Sequence, residues 1–408
     1  MIKIGIDASR ANLKSKTGTE WYTYHLVLEL KKLVKNLSDK DKYQFVFYSE
    51  EPFEKELIEN APGNFIFRQL KWPPKFLWTQ FRLSWEMVFR RPDVLYVPAH
   101  VVPIIHPQKT VLTLHDIGFI RVPEVYNPKP IGPKNKIVQF ILNLIVRVIS
   151  LGRYRNNDLD YNKWSTKFGI KHAKQILTIS EFSRKDIADY YKINEDKIKL
   201  VQNGFNAEAF KQPASEVGIL KVKEKYKITK PYIYFISRLE AKKNIVNLVR
   251  AFSILVNEYK LDYQLVLAGG EGYQFDQALK IIEENNLSDK VILTGYVENE
   301  ERVPLLSGAE LFTLPSIYEG FGVGVLEAQA VGIPVIAANS ASLPEAVGEG
   351  GLLFDPQSPE DMAQTFKKIL ENTQLQQELI QKGKENITKY GWKTSAEKLL
   401  KILLNQIK

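Results

Sequence analysis

The chain has 408 residues, of which 44% are hydrophobic and 25% are charged, and it has no cysteine. At about 150 residues per domain this length indicates two or three domains, and the composition excludes disordered, collagen-like and disulfide-stapled proteins. The lack of cysteine also excludes Cys-ligated zinc, iron–sulfur clusters and thiol catalysis, and it fits a cytoplasmic protein. The net charge of +9 favours anionic partners such as nucleic acid, acidic lipid or phosphorylated small molecules.

Strand-like and helix-like runs alternate along the whole chain. The predicted strands are Ile2–Asp7, Tyr43–Tyr48, Val94–Val97, Thr110–Leu114, Gln175–Ile179, Tyr232–Ile236, Gln264–Ala268, Val291–Leu293, Leu311–Leu314 and Pro334–Ala337. The clearest predicted helices are Thr19–Val34, Ser180–Tyr191, Asn244–Glu258 and Gln274–Asn285. This alternation with apolar strands predicts an α/β protein whose parallel sheets are covered by helices on both faces.

A Lys-rich break at Asn206–Lys230 separates two predicted doubly wound, Rossmann-like domains. We place the first at residues 1–208 and the second at residues 209–390, with the C-terminal helix 391–408 packing back on the first domain. Ligands of such sheets bind beyond the carboxyl ends of the strands, so two facing domains are expected to form a cleft. The N-terminus, residues 1–7, alternates like a strand and does not resemble a signal peptide.

The first strand is followed by Asp7-Ala-Ser-Arg10 and then by Thr17-Gly18-Thr19-Glu20, before a predicted helix. Gly18 at the helix start could cradle a phosphate or leave room for an acceptor. The segment is not G-x-G-x-x-G, and the chain has no G-x-x-x-x-G-K-[ST], so neither a dinucleotide site nor a P-loop is indicated.

A histidine, His115, directly follows the apolar run Thr110–Leu114. Imidazole at the carboxyl end of a strand can exchange a hydrogen bond with a substrate hydroxyl. His100, which follows the strand ending at Val97, is its only rival among the five histidines.

The stretch Pro130–Lys174 holds nine cations against two anions, Asp158 and Asp160. Within its predicted helix, residues 137–150, the polar residues fall on one narrow stripe, and the rest is aliphatic or Phe. This pattern suits contact with acidic lipid headgroups, as do the three tryptophans of Lys71–Trp85. Two other interpretations stay open: burial in the first domain, or pairing with another subunit. The run is too short and too polar to span a bilayer, which takes about 20 apolar residues.

The pair Asp158 and Asp160 formally makes a D-x-D motif, a spacing that can hold a metal ion. Its basic, polar setting lacks a clear strand, which argues against a metal site.

Two further segments join a strand to a helix through a polar turn. In Tyr232–Asn244, Arg238 and Lys243 follow the strand and can neutralise a diphosphate; a solvated turn with a salt bridge to Glu240 is the alternative. In Leu311–Glu327, the loop Glu319-Gly320-Phe321-Gly322 precedes a helix that carries Glu327. Its glycines let backbone N–H groups approach an anion, and a carboxylate can accept hydrogen bonds from two sugar hydroxyls. Two ordinary surface glutamates beside a turn are the alternative.

Together these segments resemble, essentially end to end, the retaining glycosyltransferases of the GT-B fold, family GT4. The E-x7-E element from Glu319 to Glu327 and the R-x4-K element from Arg238 to Lys243 carry the resemblance. Asn203-Gly204-Phe205-Asn206 is similar to the family's N-G-[VI]-D element, with Asn206 in place of the usual Asp. Ser180-Glu181-Phe182-Ser183 is similar to its S-x-x-[ST] segment.

The resemblance implies a role for each candidate site residue. Arg238 and Lys243 would hold the donor diphosphate, with Gly18 beneath the phosphates. Glu319, with the amides of Gly320, Phe321 and Gly322, would hold the transferred sugar, and Glu327 the ribose hydroxyls. His115 would contact the sugar near the reacting centre, and neither a metal nor another cofactor would be needed.

The run His115–Glu124 is similar to mannosyltransferases of surface-polysaccharide pathways, which favours GDP-mannose over UDP-sugars as donor. The expected reaction moves a hexose, with retention, to a sugar hydroxyl of a glycan or lipid-linked acceptor. The expected location is cytoplasmic, with peripheral contact to the inner face of an anionic membrane.

Two alternative functions stay open at this point. A sugar-nucleotide epimerase has two similar domains, but the E-x7-E and R-x4-K elements argue against it. A basic nucleic-acid-binding protein would explain the charge, but the chain has no recognised nucleic-acid motif, and its cations cluster beside apolar residues.

Overall fold

The structure, a computed structural model, describes residues 1–13, 16–73 and 76–407. Lys75, within the tryptophan-rich segment, lies outside the described residues. The chain divides into two compact units. Unit 1 comprises Met1–Pro123, Asn127–Gly204 and Trp392–Lys408, and unit 2 comprises Glu124–Tyr126 and Phe205–Gly391.

Unit 1 is built on a seven-stranded sheet in which all neighbouring strands are parallel. Its strands are β1 (Ile2–Asp7), β2 (Tyr43–Ser49), β3 (Phe65–Gln69), β4 (Val94–Val97), β5 (Thr110–Thr113), β6 (Gln175–Thr178) and β7 (Ile198–Leu200). Its first seven helices are α1 (Gly18–Lys35), α2 (Lys55–Ile58), α3 (Ser84–Phe89), α4 (Gly118–Arg121), α5 (Lys136–Ile149), α6 (Asp158–His172) and α7 (Glu181–Tyr191).

The strand order of unit 1 is β3-β2-β1-β4-β5-β6-β7, so the chain changes direction across the sheet between β1 and β4. The central strands are buried throughout, as sheets covered on both faces require. In doubly wound sheets the change of direction opens a crevice beyond the strand ends, where ligands bind. The connections that follow β1 and β4 are therefore the places to look for a site.

Unit 2 has a six-stranded parallel sheet in the order β10-β9-β8-β11-β12-β13. Its strands are β8 (Tyr232–Ile236), β9 (Gln264–Ala268), β10 (Val291–Gly295), β11 (Leu311–Leu314), β12 (Val335–Ala338) and β13 (Leu352–Phe354). Its helices are α8 (Ala207–Phe210), α9 (Glu216–Lys225), α10 (Ile245–Asn257), α11 (Phe275–Glu284), α12 (Asn299–Ser307), α13 (Val323–Val331), α14 (Leu343–Val347), α15 (Pro359–Leu370) and α16 (Thr373–Asn386). Here the change of direction falls between β8 and β11.

The last helix, α17 (Trp392–Asn405), belongs to unit 1 and packs on α1. The Trp392 ring stacks on His25 with 5.0 Å between ring centroids. A Cβ on Gly204 would lie 2.6 Å from the Trp392 backbone nitrogen, so this approach requires glycine.

The structure adds elements that the sequence pattern did not predict, namely β3, β7, β13 and α6. Both β7 and β13 have only three residues. Helix α6 buries Ser165, Thr166 and Gly169 beside Ile170, so its inner face has no apolar periodicity to reveal it. The expected break at Asn206–Lys230 contains α8 and α9 and lies in unit 2.

Helix α5 forms where the sequence predicts a helix, and Asn135 caps it by accepting hydrogen bonds from the N–H groups of Ile137 and Val138. Its apolar residues are largely exposed: 71% for Ile137, 70% for Phe140 and 67% for Val148. The interpretation that this helix is buried in the first domain is therefore wrong. None of the helices in the described ranges combines the length and apolarity needed to cross a bilayer.

Candidate active site

The strongest cluster of predicted site residues lies in unit 2, at the ends of β8 and β11. These strands are hydrogen-bonded neighbours, with Leu311 opposite Ile233 and Phe312 opposite Tyr234. Because both strands are parallel, the β8–α10 and β11–α13 connections leave the sheet at the same edge. The first connection carries Arg238 and Lys243, and the second carries Glu319.

Lys243 and Glu319 form an ion pair across these two connections, 76 residues apart in sequence. Both side chains are largely buried, with 14% and 13% of their surface exposed. Burial alone would raise the pKa of Glu319, but the charges of Lys243 and Lys242 outweigh it and lower the pKa to about 2. Glu319 is thus a carboxylate at neutral pH, able to accept hydrogen bonds from hydroxyls and unable to donate a proton.

Backbone and serine hydrogen bonds hold the pair in place. Ile317 N–H donates to the carbonyl of Lys242 at 2.9 Å, which ties the two connections together. Ser342, in the connection after β12, donates its hydroxyl to the Glu319 carbonyl at 2.8 Å. Three neighbouring strand ends therefore fix the position of the Glu319 backbone.

The glycine-rich loop after Glu319 starts α13. Gly322 has φ +106° and precedes the helix, and a Cβ there would lie 2.7 Å from Leu343 Cδ2. Phe321 is buried and packs edge-on against Tyr390, with ring centroids 5.2 Å apart. The Phe321 side chain thus packs inside unit 2, and only the backbone N–H of this residue can bind a ligand. Gly320 lies between Glu319 and this buried ring.

Glu327 lies on α13 and pairs with a residue that the sequence analysis did not find. Arg302 Nη2 donates to Glu327 Oε2 at 2.7 Å. Burial raises the pKa of Glu327, while Arg302 opposes that rise. Arg302 lies on α12, a polar helix that contains Pro304, so nothing in its sequence pattern marks it.

Arg238 differs from the other three charged candidate site residues, Lys243, Glu319 and Glu327, because its side chain is 59% exposed. Its Nε lies 3.7 Å from Glu240 Oε2, so the salt bridge to Glu240 that was the alternative interpretation is present. The structure thus brings Lys243 and Glu319 into direct contact, gives Arg238 and Glu327 other partners, and carries all four on two adjacent strand-to-helix segments.

In unit 1, His115 lies just beyond β5. Its Nε2 is 3.0 Å from the Pro98 carbonyl, and its ring lies nearly perpendicular to that of Tyr22, with 4.9 Å between ring centroids. Since a carbonyl only accepts, Nε2 carries the hydrogen and Nδ1 is left as an acceptor. Burial lowers the pKa of His115, which keeps the imidazole neutral at pH 7. The rival, His100, contacts Asn162 Oδ1 at 2.9 Å, and burial lowers its pKa to about 4.

Gly18 is the first residue of α1, behind the N-cap Thr17. The Glu20 carboxylate accepts from the Thr17 backbone N–H at 3.1 Å and also from Arg10 at 3.2 Å. Among residues 1–13, 16–73 and 76–407, none places an atom of a neighbouring group within 4 Å of a Cβ on Gly18. The described residues therefore leave space at this helix start.

A cavity of about 290 Å³ lies at the carboxyl end of β1, and the sequence analysis did not anticipate it. Asp7, Ser9, Arg10, Trp78 and Tyr161 are among the residues that line it. Asp7 is buried, accepts from the Ser9 hydroxyl at 2.6 Å, and has its pKa raised by burial. Carboxylate, guanidinium and aromatic groups around one cavity are a combination that can bind sugar hydroxyls.

Several predicted motif residues serve as helix caps. Ser180 accepts from the Ser183 N–H and caps α7, and Asn206 accepts from the Ala209 N–H and caps α8. In the D-x-D segment, Asp158 Oδ1 accepts from the Lys129 N–H and Asp160 Oδ2 from the Arg155 N–H, both at 2.8 Å. The two aspartates thus fix the backbone at the start of α6.

Two family descriptions match the chain. Residues 17–209 match Glycosyltransferase Family 4, and residues 219–386 match Glycosyl transferases group 1. Together these matches cover most of the chain, and they do not favour an epimerase or a nucleic-acid-binding protein.

Individual proteins agree with these matches. O-antigen chain mannosyltransferase B of Escherichia coli is 28% identical over 312 residues, covering 76% of this chain and 74% of that protein. An N-acetylgalactosaminyltransferase of Campylobacter jejuni, whose name gives a diphospho-undecaprenol substrate, is 30% identical over 246 residues, covering 60% of this chain and 63% of that protein.

Among solved structures, Anabaena HepE in complex with UDP-glucose matches with a TM-score of 0.69 at 16% identity, covering 99% of this chain and 100% of HepE. This likeness shows the fold, which is that of GT-B glycosyltransferases. With two parallel-sheet units and the two family matches, the chain belongs to glycosyltransferase family GT4.

Proposed function

We propose that this protein is a retaining mannosyltransferase that moves mannose from GDP-mannose to a sugar hydroxyl of a glycan or lipid-linked acceptor. The buried pair of Lys243 with Glu319 at the switch point of unit 2 carries the proposal, because it sets a cation beside a carboxylate that is ionised at neutral pH. The mannosyltransferase named above supports the choice of sugar.

In this proposal unit 2 binds the donor. Lys243 and Arg238 neutralise the diphosphate, and Glu319 with the amides of residues 320–322 orients the sugar hydroxyls. Glu327, held by Arg302, accepts hydrogen bonds from the ribose hydroxyls. The site needs no metal ion if the two cations and the N-terminus of α13 balance the phosphate charge.

Unit 1 binds the acceptor in the cavity lined by Asp7 and Arg10, and His115 offers its Nδ1 acceptor or its ring to a sugar hydroxyl. In the reaction, the bond between the anomeric carbon and the diphosphate oxygen breaks, and the acceptor oxygen bonds to that carbon on the same face. The acceptor's proton passes to the departing diphosphate oxygen, so no side chain need act as a covalent nucleophile.

Peripheral attachment to an anionic membrane forms part of this proposal. The exposed apolar residues of α5 lie in the same stretch as Lys134, Lys136, Arg147, Arg153 and Arg155, which suits an interface with acidic headgroups.

A panel of GDP-, UDP- and ADP-sugars tests the donor. A thermal shift and transfer with GDP-mannose, insensitive to EDTA, are expected, because a ligand that binds the folded state raises its melting temperature. The second candidate, a UDP-hexose, is favoured by the ligand of HepE. A thermal shift and transfer with UDP-glucose but not with GDP-mannose would show that the donor is a UDP-hexose. Loss of transfer in EDTA would contradict the metal-free mechanism.

A further inference from the structure

A second cavity, of about 220 Å³, lies in unit 1. Leu77, Ile131 and Tyr161 line both this cavity and the one at the end of β1, so the two are neighbours. The wall of the second cavity is mostly apolar and includes Val146 and Trp164. At about 30 Å³ per water-sized group, this volume corresponds to roughly seven such groups, so the cavity can take in part of a hydrocarbon chain.

Two helical segments carry exposed apolar faces beside this cavity. The first comprises a π-helical turn, Thr79–Leu83, and α3, and it exposes Phe81, Trp85 and Phe89 at four-residue spacing. The second is α5, described above. Phe81 and Val146 come one from each segment, and both line the cavity. The cavity therefore lies between two apolar surfaces that are exposed to solvent.

The same region carries cations. Arg155 lines the cavity and is exposed, and Arg153, two positions earlier in the chain, is exposed as well. Asp160 also lines the cavity, and its Oδ2 accepts from the Arg155 backbone N–H at 2.8 Å. An arginine beside an apolar cavity matches the chemistry of a lipid phosphate, since guanidinium binds phosphate oxygens in a bidentate manner. A solvent-filled cavity would leave this apolar lining in contact with water.

We propose that this cavity binds one hydrocarbon chain of a phosphate-bearing lipid, with Arg155 at the phosphate. The inference rests on the proposed function in one respect: the lipid is taken to be the acceptor's anchor, whose saccharide reaches the neighbouring cavity with Asp7 and Arg10. The shared lining residues Leu77, Ile131 and Tyr161 then form the passage between chain and sugar.

The test uses 12-bromododecyl phosphate, below its micelle-forming concentration, as a probe for the full-length protein. Bromine quenches nearby tryptophan, and Trp164 lies in the cavity wall. We expect saturable quenching that Trp164→Phe largely removes. Val146→Phe, which fills the cavity, should weaken binding at least tenfold. Val148→Phe adds the same ring to the exposed face of α5 and should change binding less than twofold.

Ile104→Phe, in the loop between β4 and β5, is a second cavity-filling change and guards against a local distortion of α5. It should weaken binding of the probe as much as Val146→Phe does, and the circular dichroism spectra of both variants should match that of the wild type. Arg155→Gln should weaken the binding of bromododecyl phosphate more than the binding of bromododecanol, which lacks the phosphate. Equal binding by Val146→Phe and Val148→Phe, or full quenching in Trp164→Phe, would overturn the proposal.

These outcomes separate the inference from the proposed function. Quenching needs no nucleotide sugar, so an enzyme that transfers mannose to methyl mannoside but shows no cavity-dependent quenching would refute the lipid site alone. Saturable quenching without transfer from any nucleotide sugar would refute the transferase proposal alone. In transfer assays, Val146→Phe should raise the KM for dodecyl mannoside and leave the KM for methyl mannoside unchanged.

Discussion

Lys243 and Glu319 meet across two neighbouring strand ends, and each is largely buried. Separating such a pair leaves one uncompensated charge, which typically destabilises a protein by about 3–5 kcal/mol. Removing one partner should therefore destabilise the fold, and for Glu319 this loss should depend on pH.

Glu319→Gln should destabilise the protein at neutral pH and much less in acid. The folded-state pKa of about 2 lies below the ordinary value of 4.5. Stability from this carboxylate is thus fully present above about pH 4.5 and is lost as the pH falls toward 2. At pH 7 the shift corresponds to about 3 kcal/mol. Urea unfolding of the wild type and of Glu319→Gln at pH 7 and pH 3 measures the difference in unfolding free energy. The control is Glu240→Gln, which removes a weaker and more exposed ion pair. A constant difference at both pH values would contradict the linkage.

Glu327→Ala should weaken donor binding about tenfold or more, because it removes the proposed ribose acceptor and leaves Arg302 without this partner. Titration calorimetry with GDP measures the affinity without requiring transfer. The control is Glu283→Ala on the exposed face of α11. If Arg302→Gln weakens GDP as much while Glu327→Gln does not, the guanidinium and not the carboxylate is the binding group.

The sequence predicts the β8–α10 and β11–α13 connections better than it predicts the contact between them. Apolar runs and following glycines or charges predict β8, β11 and both connections. Strand order, however, is a property of the folded sheet: the apolar runs do not say that β8 pairs with β11. The resemblance places Lys243 and Glu319 at one donor, but their direct contact was not predictable from these runs. Arg302 was missed because its helix has no apolar stripe. For α5 the sequence predicts the helix but leaves its surroundings open, since an apolar face pattern is the same for a buried helix and an exposed one.

His115→Ala should lower kcat by about 100-fold and change the donor dissociation constant by less than threefold. Since burial lowers the pKa of His115 below its ordinary value of 6.5, the neutral imidazole persists as the pH falls through 6.5. The wild-type kcat should therefore show no loss attributable to His115 between pH 7.5 and 6.5. His172→Ala, at the exposed end of α6, is the matched control. Equal losses in kcat and affinity would place His115 in ground-state binding instead.

Two glycine substitutions should behave oppositely. Gly322→Ala meets a positive φ and the Leu343 side chain at 2.7 Å, so it should destabilise the protein by about 1–3 kcal/mol. Gly18→Ala, in the first turn of α1, meets no neighbouring atom of the described residues within 4 Å, and it should raise stability slightly, by about 0.4–1 kcal/mol. Thermal unfolding compares them. A raised KM for the nucleotide sugar in the stable Gly18→Ala protein would indicate that a phosphate uses that space, and an unchanged KM would contradict that role.

Membrane attachment should depend on the exposed face of α5. Phe140→Ser removes a ring that is 70% exposed, and burying such a side chain in a bilayer interface is worth about 1.5–3 kcal/mol. Flotation with vesicles containing phosphatidylglycerol should therefore fall by about tenfold or more in this variant. Ile58→Ser, at an exposed position on α2, serves as the control and should float like wild type. The cations of the same stretch attract anionic lipid, and salt screens this attraction. Raised salt should therefore release the wild type from the vesicles. Flotation that is insensitive to both salt and Phe140→Ser would indicate that another surface meets the membrane.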